Sequence, residues 1–299
     1  MKKLNSSRNQ AIVGYVCIAP AILGLVFLTI IPIFAVVGLS FTDWNALTSP
    51  KFIKFENYIS IFTKDLFFFK SVAVTIYFAF GAVFSTIVYT FLLALMINRE
   101  KKLQSFWRTV YFIPYILPAI ANAVLWMFLY DPDVGLLNYV LNGLLGFKKS
   151  LWIYGSETAI PSLIVMVMWA SGNFMVIFLS ALQDVPKQYI EAVEIDGGNT
   201  WHKFKNVIVP LMTPIIFFNF LTGFIANLQS FIPSFEVTNG GPNDMTLFLV
   251  FLIYRESFMH NNFGYGCSIA FVFFIVIALV TAVIFKTSNK WVYYEGGGN

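Results

Sequence analysis

Charged residues are scarce in this 299-residue chain. Asp, Glu, Lys and Arg make up 11% of it, whereas 58% of the residues are hydrophobic. A soluble domain needs about 25% charged residues to cover its surface, so this composition excludes an ordinary soluble fold and predicts a membrane protein. The net charge of +4 is small, and no basic run is interleaved with aromatic residues. We therefore expect no nucleic-acid partner.

Cysteine and histidine are also rare, with two of each. Cys17 and Cys267 lie inside apolar runs, where cysteine usually serves as a small buried hydrophobe. The chain has no GxxxxGK[ST], HExxH or GxSxG motif and no cluster of Cys and His. These absences predict no metal site, no bound cofactor and no catalytic residue. The chain is expected not to be an enzyme.

Long windows without Asp, Glu, Lys or Arg occur six times, and each can supply the roughly 20 apolar residues that cross a bilayer. They cover residues 9–42, 71–98, 109–130, 158–183, 206–235 and 257–285. Because lipid offers the backbone no hydrogen-bond partners, each window is expected to be helical. The predicted fold is therefore all-α: a polytopic membrane protein with six transmembrane helices. Its predicted regions are the N-terminus with the first helix (1–42), a five-helix core (71–286) and a tail (287–299).

The distribution of Lys and Arg predicts the orientation of these helices. With the N-terminus in the cytoplasm, twelve Lys and Arg residues fall on the cytoplasmic side and seven on the outer side. Both termini are therefore expected in the cytoplasm of a bacterial plasma-membrane protein. The outer loops, 43–70, 131–157 and 236–256, either receive an external partner or serve as simple connectors.

The cytoplasmic loop between the fourth and fifth spans, residues 184–210, is unusual because seven charged residues fall between Asp184 and Lys205. Its pattern predicts two short amphipathic helices. Gly197-Gly198 would end the first helix in a left-handed turn. Thr200 would cap the second, and Pro210 would mark the return to the membrane. Each helix offers an apolar face with a charged rim, which suits either a groove in a partner protein or the lipid surface.

This loop resembles the EAA loop of permease subunits in binding-protein-dependent ABC importers. That motif runs Glu-Ala-Ala, three residues, Gly, nine residues, then Ile-x-Leu-Pro. The chain supplies Glu191, Ala192, Gly197 and Pro210 at this spacing, and it replaces three apolar positions with valine. Four stretches are similar to maltose-type sugar permeases over roughly residues 11–294: "LTSPKFIKFENYISIF", "YFIPYILPAIANAVLWMFLY", "IEAVEIDGGNTWHKFKNVIVPLMTP" and "VTNGGPNDMTLFLVFLIYRESF".

The resemblance implies one half of a transport channel for a carbohydrate, most simply an oligosaccharide. The implied partners are a second permease subunit, two ATPase subunits that carry ATP and Mg²⁺, and an extracellular solute-binding protein. Glu191 would meet a basic residue of an ATPase. The implied ATPase-coupling residues are Glu191, Ala192, Gly197, Trp201, Phe204 and Pro210.

Small and polar residues recur at three- and four-residue spacing along span five, so they share one side of the helix. In lipid such a face is expected either to line a solute path or to pack closely against another helix. Two asparagines in other spans could join it. The candidate solute-pathway residues are Asn122, Asn173, Asn219, Gly223, Asn227 and Ser230.

Three other functions stay open at this point. The solute could be a different polar molecule, such as a glycerophosphodiester or a polyamine. The chain could also be a membrane scaffold that docks a cytoplasmic protein without transport. A lipid-modifying enzyme is disfavoured, because no catalytic constellation is present.

Overall fold

The computed structural model describes residues 7–99 and 102–293, with side chains described from residue 10. Lys2, Lys3, Lys101 and the end of the predicted tail, 294–299, lie outside the described residues. The described part is helical except for one short pair of strands, which confirms the all-α class. The helices are α1 Ser7–Leu25, α2 Ile31–Leu39, α3 Glu56–Thr63, α4 Leu66–Arg99, α5 Gln104–Ile116, α6 Ala119–Leu129, α7 Leu136–Asn138, α8 Ala159–Trp169, α9 Gly172–Gln183, α10 Lys187–Ile195, α11 Thr200–Lys203, α12 Val209–Leu228, α13 Leu249–Tyr254 and α14 Phe263–Ser288.

Four helices of the described chain are each long and apolar enough to cross a membrane. They cover Gln10–Leu39, Leu66–Arg99, Thr200–Leu228 and Phe263–Ser288. Two further spans are helix pairs bent at a short break, α5 with α6 and α8 with α9. Counting each pair as one span gives six, in agreement with the six windows of the sequence.

The span predicted over 109–130 is not one straight helix, because α5 and α6 meet at an angle of 97°. Leu117 has an extended backbone, with φ −61° and ψ 138°, and Pro118 precedes the first residue of α6. A proline disfavours helical geometry in the residue before it. The break therefore falls at Leu117, and the proline that follows it is the signal in the sequence.

The second bend, 51° between α8 and α9, follows Trp169. Gly172 opens α9 against the backbone of α5, so closely that a Cβ at this position would lie 2.3 Å from the carbonyl oxygen of Tyr111. Only glycine permits such an approach of two backbones. The span predicted over 158–183 is therefore also interrupted, and the interruption accompanies tight packing of α9 on α5.

The chain divides into two compact units. The first comprises Met1–Asp65 and Ile253–Phe274. Strands β1 Thr42–Asp43 and β2 Lys51–Phe52 pair antiparallel within it. The buried Asn57 amide donates to the carbonyl oxygens of Ser40 and Thr42, at 2.9 and 3.0 Å. Gly264 lies against the same segment, since its amide donates to Trp44 O at 3.0 Å.

The second unit comprises Leu66–Leu252 and Ile275–Asn299, of which the structure describes residues up to 293. Helices α4 and α12 pack antiparallel at its centre. The rings of Phe80 and Phe224 lie 4.7 Å apart, and a Cβ on Gly223 would lie 3.2 Å from Val83 Cγ2. These contacts bring residues 80–83 of α4 against residues 223–224 of α12.

Candidate functional site

The elbow, residues 187–208, turns at Gly197 and Gly198. Gly197 has φ +75°. Its N–H donates to Glu194 O at 3.0 Å, and the Gly198 N–H donates to Val193 O at 2.8 Å. These two bonds form a Schellman motif, which satisfies carbonyls that the end of α10 would leave unpaired. The predicted left-handed glycine end of the first helix is confirmed.

The second arm starts at Asn199 rather than at Thr200. The Asn199 side chain accepts from the His202 N–H at 3.1 Å, and the His202 ring approaches the Asn199 N–H at 3.3 Å. This reciprocal pair is a capping box. The prediction that Thr200 caps the helix is wrong, because the neighbouring amide side chain takes the role.

The prediction of a second short helix is also wrong. From Thr200 the chain stays helical through a π-helical turn at Phe204–Ile208 and continues as α12 to Leu228. Pro210, predicted to mark the return to the membrane, lies in the first turn of α12, directly after the π turn. Transmembrane helices tolerate proline where local adjustments satisfy the freed backbone groups. The second arm of the elbow is thus rigidly joined to span five.

An ion pair links the two arms. Lys203 Nζ lies 2.5 Å from Glu194 Oε1. Glu194 belongs to α10 and Lys203 to α11, so the pair joins the two helices across the turn. Sequence analysis missed this contact, although the two charges of opposite sign flank the predicted turn.

The outside of the elbow is exposed. Glu191, Ala192 and Gly197 are all exposed, and Glu191 has no ion-pair partner among the described residues. Trp201 is 63% exposed, and its ring stacks on Phe204 at 5.6 Å. Of the predicted coupling residues, only Phe204 and Pro210 are half-buried. The four exposed positions are available to a partner.

Ile195 is the residue that sequence analysis missed on this surface. It is 86% exposed, more than any other large hydrophobic side chain of the elbow. It lies four positions after Glu191 and three after Ala192, and residues at these spacings are neighbours on a helix surface. That spacing is the signal that could have identified it.

The predicted pathway residues occupy a different environment. Asn219, Gly223 and Asn227 are buried on the side of α12 that faces α4. Asn227 Nδ2 donates to Gly223 O at 2.8 Å. A Cβ on Gly223 would meet Phe174 as well as Val83. Thr222 and Ala226 are exposed, so the stripe lies on the border between the packed and the open sides of α12.

The remaining pathway candidates lie on other elements. Asn122 is buried in α6, and its Oδ1 has no hydrogen-bond partner in the described structure. Asn173 and Ser230 are half-buried. The assignment of these six residues to a solute path stays a prediction.

The loop 131–157 is held in shape by one buried amide. Asn138 Nδ2 donates to the carbonyl oxygens of Pro132 and Ser150, at 3.0 and 2.9 Å. Its Oδ1 accepts from Trp152 Nε1 at 2.9 Å and from the Ser150 N–H at 3.2 Å. At the start of the loop, hydrogen bonds from the Val134 and Asp133 N–H groups lower the pKa of Asp131. The loop is therefore an ordered surface.

Within residues 7–99 and 102–293, no group of three His, Cys, Asp or Glu side chains is placed to hold a metal ion. Both cysteines are free.

Comparison with known proteins identifies the family to which this chain is similar. Residues 87–293 match the family described as binding-protein-dependent transport system inner membrane component. The probable ABC transporter permease protein YesP of Bacillus subtilis is 33% identical over 302 residues, covering 99% of this chain and 96% of that protein. The multiple sugar-binding transport system permease protein MsmF of Streptococcus mutans is 30% identical, covering 92% and 94%.

A solved structure shares the fold. It is a bacterial ABC transporter involved in the import of the acidic polysaccharide alginate, with a TM-score of 0.79 and 18% identity over 97% of this chain and 99% of that chain. The sequence match covers more than half of the chain and includes α8, α9, the elbow and α12. The chain belongs to the family of inner membrane components of binding-protein-dependent transport systems.

Proposed function

We propose that the chain is the permease subunit of an importer that carries a carbohydrate across the bacterial plasma membrane. Separate ATPase subunits that dock on the elbow drive this transport. The observation that carries the proposal is the elbow itself. Its arms are fixed by the Schellman turn and the Glu194–Lys203 pair, while Glu191, Ala192, Ile195 and Trp201 remain exposed.

An energy source outside the chain is required. The sequence has no phosphate-binding glycine loop, so movement of a solute against its gradient depends on a partner. A partner shifts a two-state membrane element only through contacts that differ between the two states. Because α11 continues into span five, force applied at Trp201 reaches α12 without a flexible joint.

The charge distribution supports a cytoplasmic location for the elbow and for both termini. The loop 131–157 then faces outward, where its Asn138-centred network offers an ordered surface to a solute-binding protein. The second permease subunit would cover exposed helix faces of this chain. ATP and Mg²⁺ would bind to the ATPase subunits, and this chain would bind neither.

A carbohydrate is proposed as the solute because relatives that match nearly the whole chain are named as sugar-transport permeases. One of them is the Streptococcus mutans protein MsmF. The structural neighbour named for alginate import shares the fold. An oligosaccharide is the simplest choice among carbohydrates, since the structural neighbour is named for the import of a polysaccharide.

The test uses the assembled complex in proteoliposomes. Glu191→Ala should leave membrane insertion intact and weaken retention of the ATPase. It should cost about 2–5 kcal/mol if the ATPase residue that meets Glu191 is left buried and unpaired. Glu157→Ala, in the loop 131–157, is the matched control. Full ATPase retention and unchanged solute uptake in Glu191→Ala would contradict the proposed coupling.

A further inference from the structure

The described C-terminal residues fold back onto α12. We name residues 289–293 the C-terminal strap. Val292 is 8% exposed and packs with Phe217 and Leu221 of α12. The Trp291 ring meets Phe217 edge-on at 5.8 Å. The strap is therefore anchored on the helix that continues the elbow.

The strap binds where a backbone hydrogen bond is missing in the first turns of α12. Pro214 has no N–H, so it cannot donate to the Pro210 carbonyl one turn earlier. Thr213 Oγ1 donates to that carbonyl instead, at 2.7 Å. The same hydroxyl accepts the Tyr293 N–H at 2.9 Å. A hydroxyl both donates and accepts, so Thr213 joins the strap to the backbone position that the proline leaves unsatisfied.

The strap also reaches the first arm of the elbow. Tyr293 lines a cavity of about 380 Å³ together with Tyr189, Ala192 and Val193 of α10, and with Pro210. The strap thus lies on α12 through Thr213 and Phe217, and it faces α10 across this cavity. Glu191 and Ile195 on the outside of α10 are left uncovered.

We propose that the C-terminal strap positions the elbow, setting the angle at which α10 is presented to the ATPase. This role rests on the proposed function, since it matters only if the elbow couples ATP hydrolysis to transport. When the strap is docked, Tyr293 and Thr213 brace α10 against the start of α12. Release of the strap removes this support, while the glycine turn, the Glu194–Lys203 pair and the connection to α9 remain.

Thr213 offers a matched pair of variants. Thr213→Val keeps the volume and shape of the side chain but removes the hydroxyl, whereas Thr213→Ser keeps the hydroxyl. One lost hydrogen bond of ordinary strength should change the ratio of docked to released strap about two- to tenfold. In proteoliposomes we expect Thr213→Val to raise the ATP hydrolysed per solute imported, and Thr213→Ser to restore the wild-type value.

A direct probe reports the docking. In a chain whose Cys17 and Cys267 are replaced by serine, Tyr189→Cys and Tyr293→Cys should be joined by a short bifunctional thiol reagent. The yield should fall when Thr213→Val is added, and it should be retained with Thr213→Ser. If Thr213→Val fails to assemble, deletion from residue 291 onward provides the same comparison of ATP use with uptake.

The outcomes separate the two proposals. An unchanged ratio of ATP hydrolysed to solute imported in both Thr213→Val and the deletion would overturn the positioning role, even if Glu191→Ala uncouples transport. No effect of Glu191→Ala would instead contradict the proposed function. Raised ATP use in Thr213→Val with normal values in Thr213→Ser would support the strap as a positioning segment.

Discussion

Lys203 Nζ lies 2.5 Å from Glu194 Oε1, so an ion pair joins the two arms of the elbow across the glycine turn. The Glu194 side chain is 55% exposed and that of Lys203 is 24% exposed. Water therefore screens the pair, and its contribution should be about 0.2–1 kcal/mol. The pair therefore acts mainly on the angle between the two arms and contributes little to the stability of the fold.

We expect Glu194→Gln to speed hydrogen exchange of the α10 and α11 amides by less than about fivefold, in line with a screened pair. Glu191→Gln, which removes a charge that has no ion-pair partner among the described residues, should leave exchange unchanged. Exchanging the two charges, with Glu194→Lys and Lys203→Glu together, should restore protection. Equal exchange rates in Glu194→Gln and Glu191→Gln would show that the pair does not hold the arms.

The glycine turn should tolerate asparagine better than alanine at Gly197. A Cβ at Gly197 would meet no atom within 4 Å, so the cost arises only from its φ of +75°. A left-handed residue with a side chain costs about 1–2 kcal/mol, and asparagine adopts this conformation more readily than alanine. Thermal unfolding of the detergent-solubilised chain should therefore rank glycine above asparagine and asparagine above alanine.

Gly198 has a steric requirement, in contrast to Gly197. A Cβ at Gly198 would lie 2.5 Å from Val193 Cγ1 and 2.9 Å from Val193 O. The paired variant Gly198→Ala with Val193→Ala should recover part of the thermal stability lost in Gly198→Ala. No recovery would indicate that the backbone contact sets the limit.

Asn219 lies one turn before Gly223 on α12, Thr86 lies one turn after Val83 on α4, and a Cβ on Gly223 would lie 3.2 Å from Val83 Cγ2. Asn219 is 0% exposed and Thr86 is 2% exposed. Neither the Asn219 amide atoms nor Thr86 Oγ1 has a hydrogen-bond partner in the described structure. Buried polar groups without partners destabilise a fold by about 1–3 kcal/mol each.

We therefore expect Asn219→Leu to leave the thermal midpoint of the solubilised chain unchanged or to raise it. Thr86→Val should behave in the same way, and the double variant should show coupling between the two sites, since neighbouring residues are not additive. A marked loss of stability in Asn219→Leu would show that the amide is satisfied in the membrane, by water or by Thr86.

The same helix offers a test of the solute path. Asn227 lies two turns from Asn219 on α12 and is 8% exposed, whereas Asn219 is sealed. If the path reaches this face, Asn227→Leu should impair solute uptake while the complex still assembles, and Asn219→Leu should not. Normal uptake and solute affinity in Asn227→Leu would favour helix packing as the role of the stripe.

The orientation can be tested with reporter fusions at Lys149 and Thr200. Helices α8 and α9 separate these positions in the chain, and the distribution of Lys and Arg predicts that they face opposite sides of the membrane. The fusion at Lys149 should report the outer side and the fusion at Thr200 the cytoplasm. Labelling of both on one side would contradict the six-span arrangement.

Sequence alone could predict the spans and the turn of the elbow. The spans are predictable because a bilayer demands a minimum apolar length. The turn at Gly197 is predictable because few other residues adopt a left-handed backbone. The break at Leu117 also had a local signal, the proline that follows it. Each of these features depends on residues that are neighbours in the chain.

The features that sequence could not predict depend on distant residues. The bend before Gly172 accompanies the approach of the Tyr111 backbone, which lies about 60 residues earlier. The sequence predicts a short second helix, yet the π turn and the Thr213 hydroxyl let the helix continue past Pro210 and Pro214. The burial of Asn219 depends on the packing of α12 against α4. None of these contacts leaves a pattern within one helix.

The exposed face of the elbow also bears on how cells handle the chain before assembly. Ile195 and Trp201 present large apolar side chains to water, 86% and 63% exposed. Exposed apolar groups of this kind are aggregation liabilities when no partner covers them. A chain made in excess of its partners would therefore be a natural target for chaperones and membrane proteases. The surface proposed for coupling would then also keep the subunits in balanced amounts, by marking unassembled copies for removal.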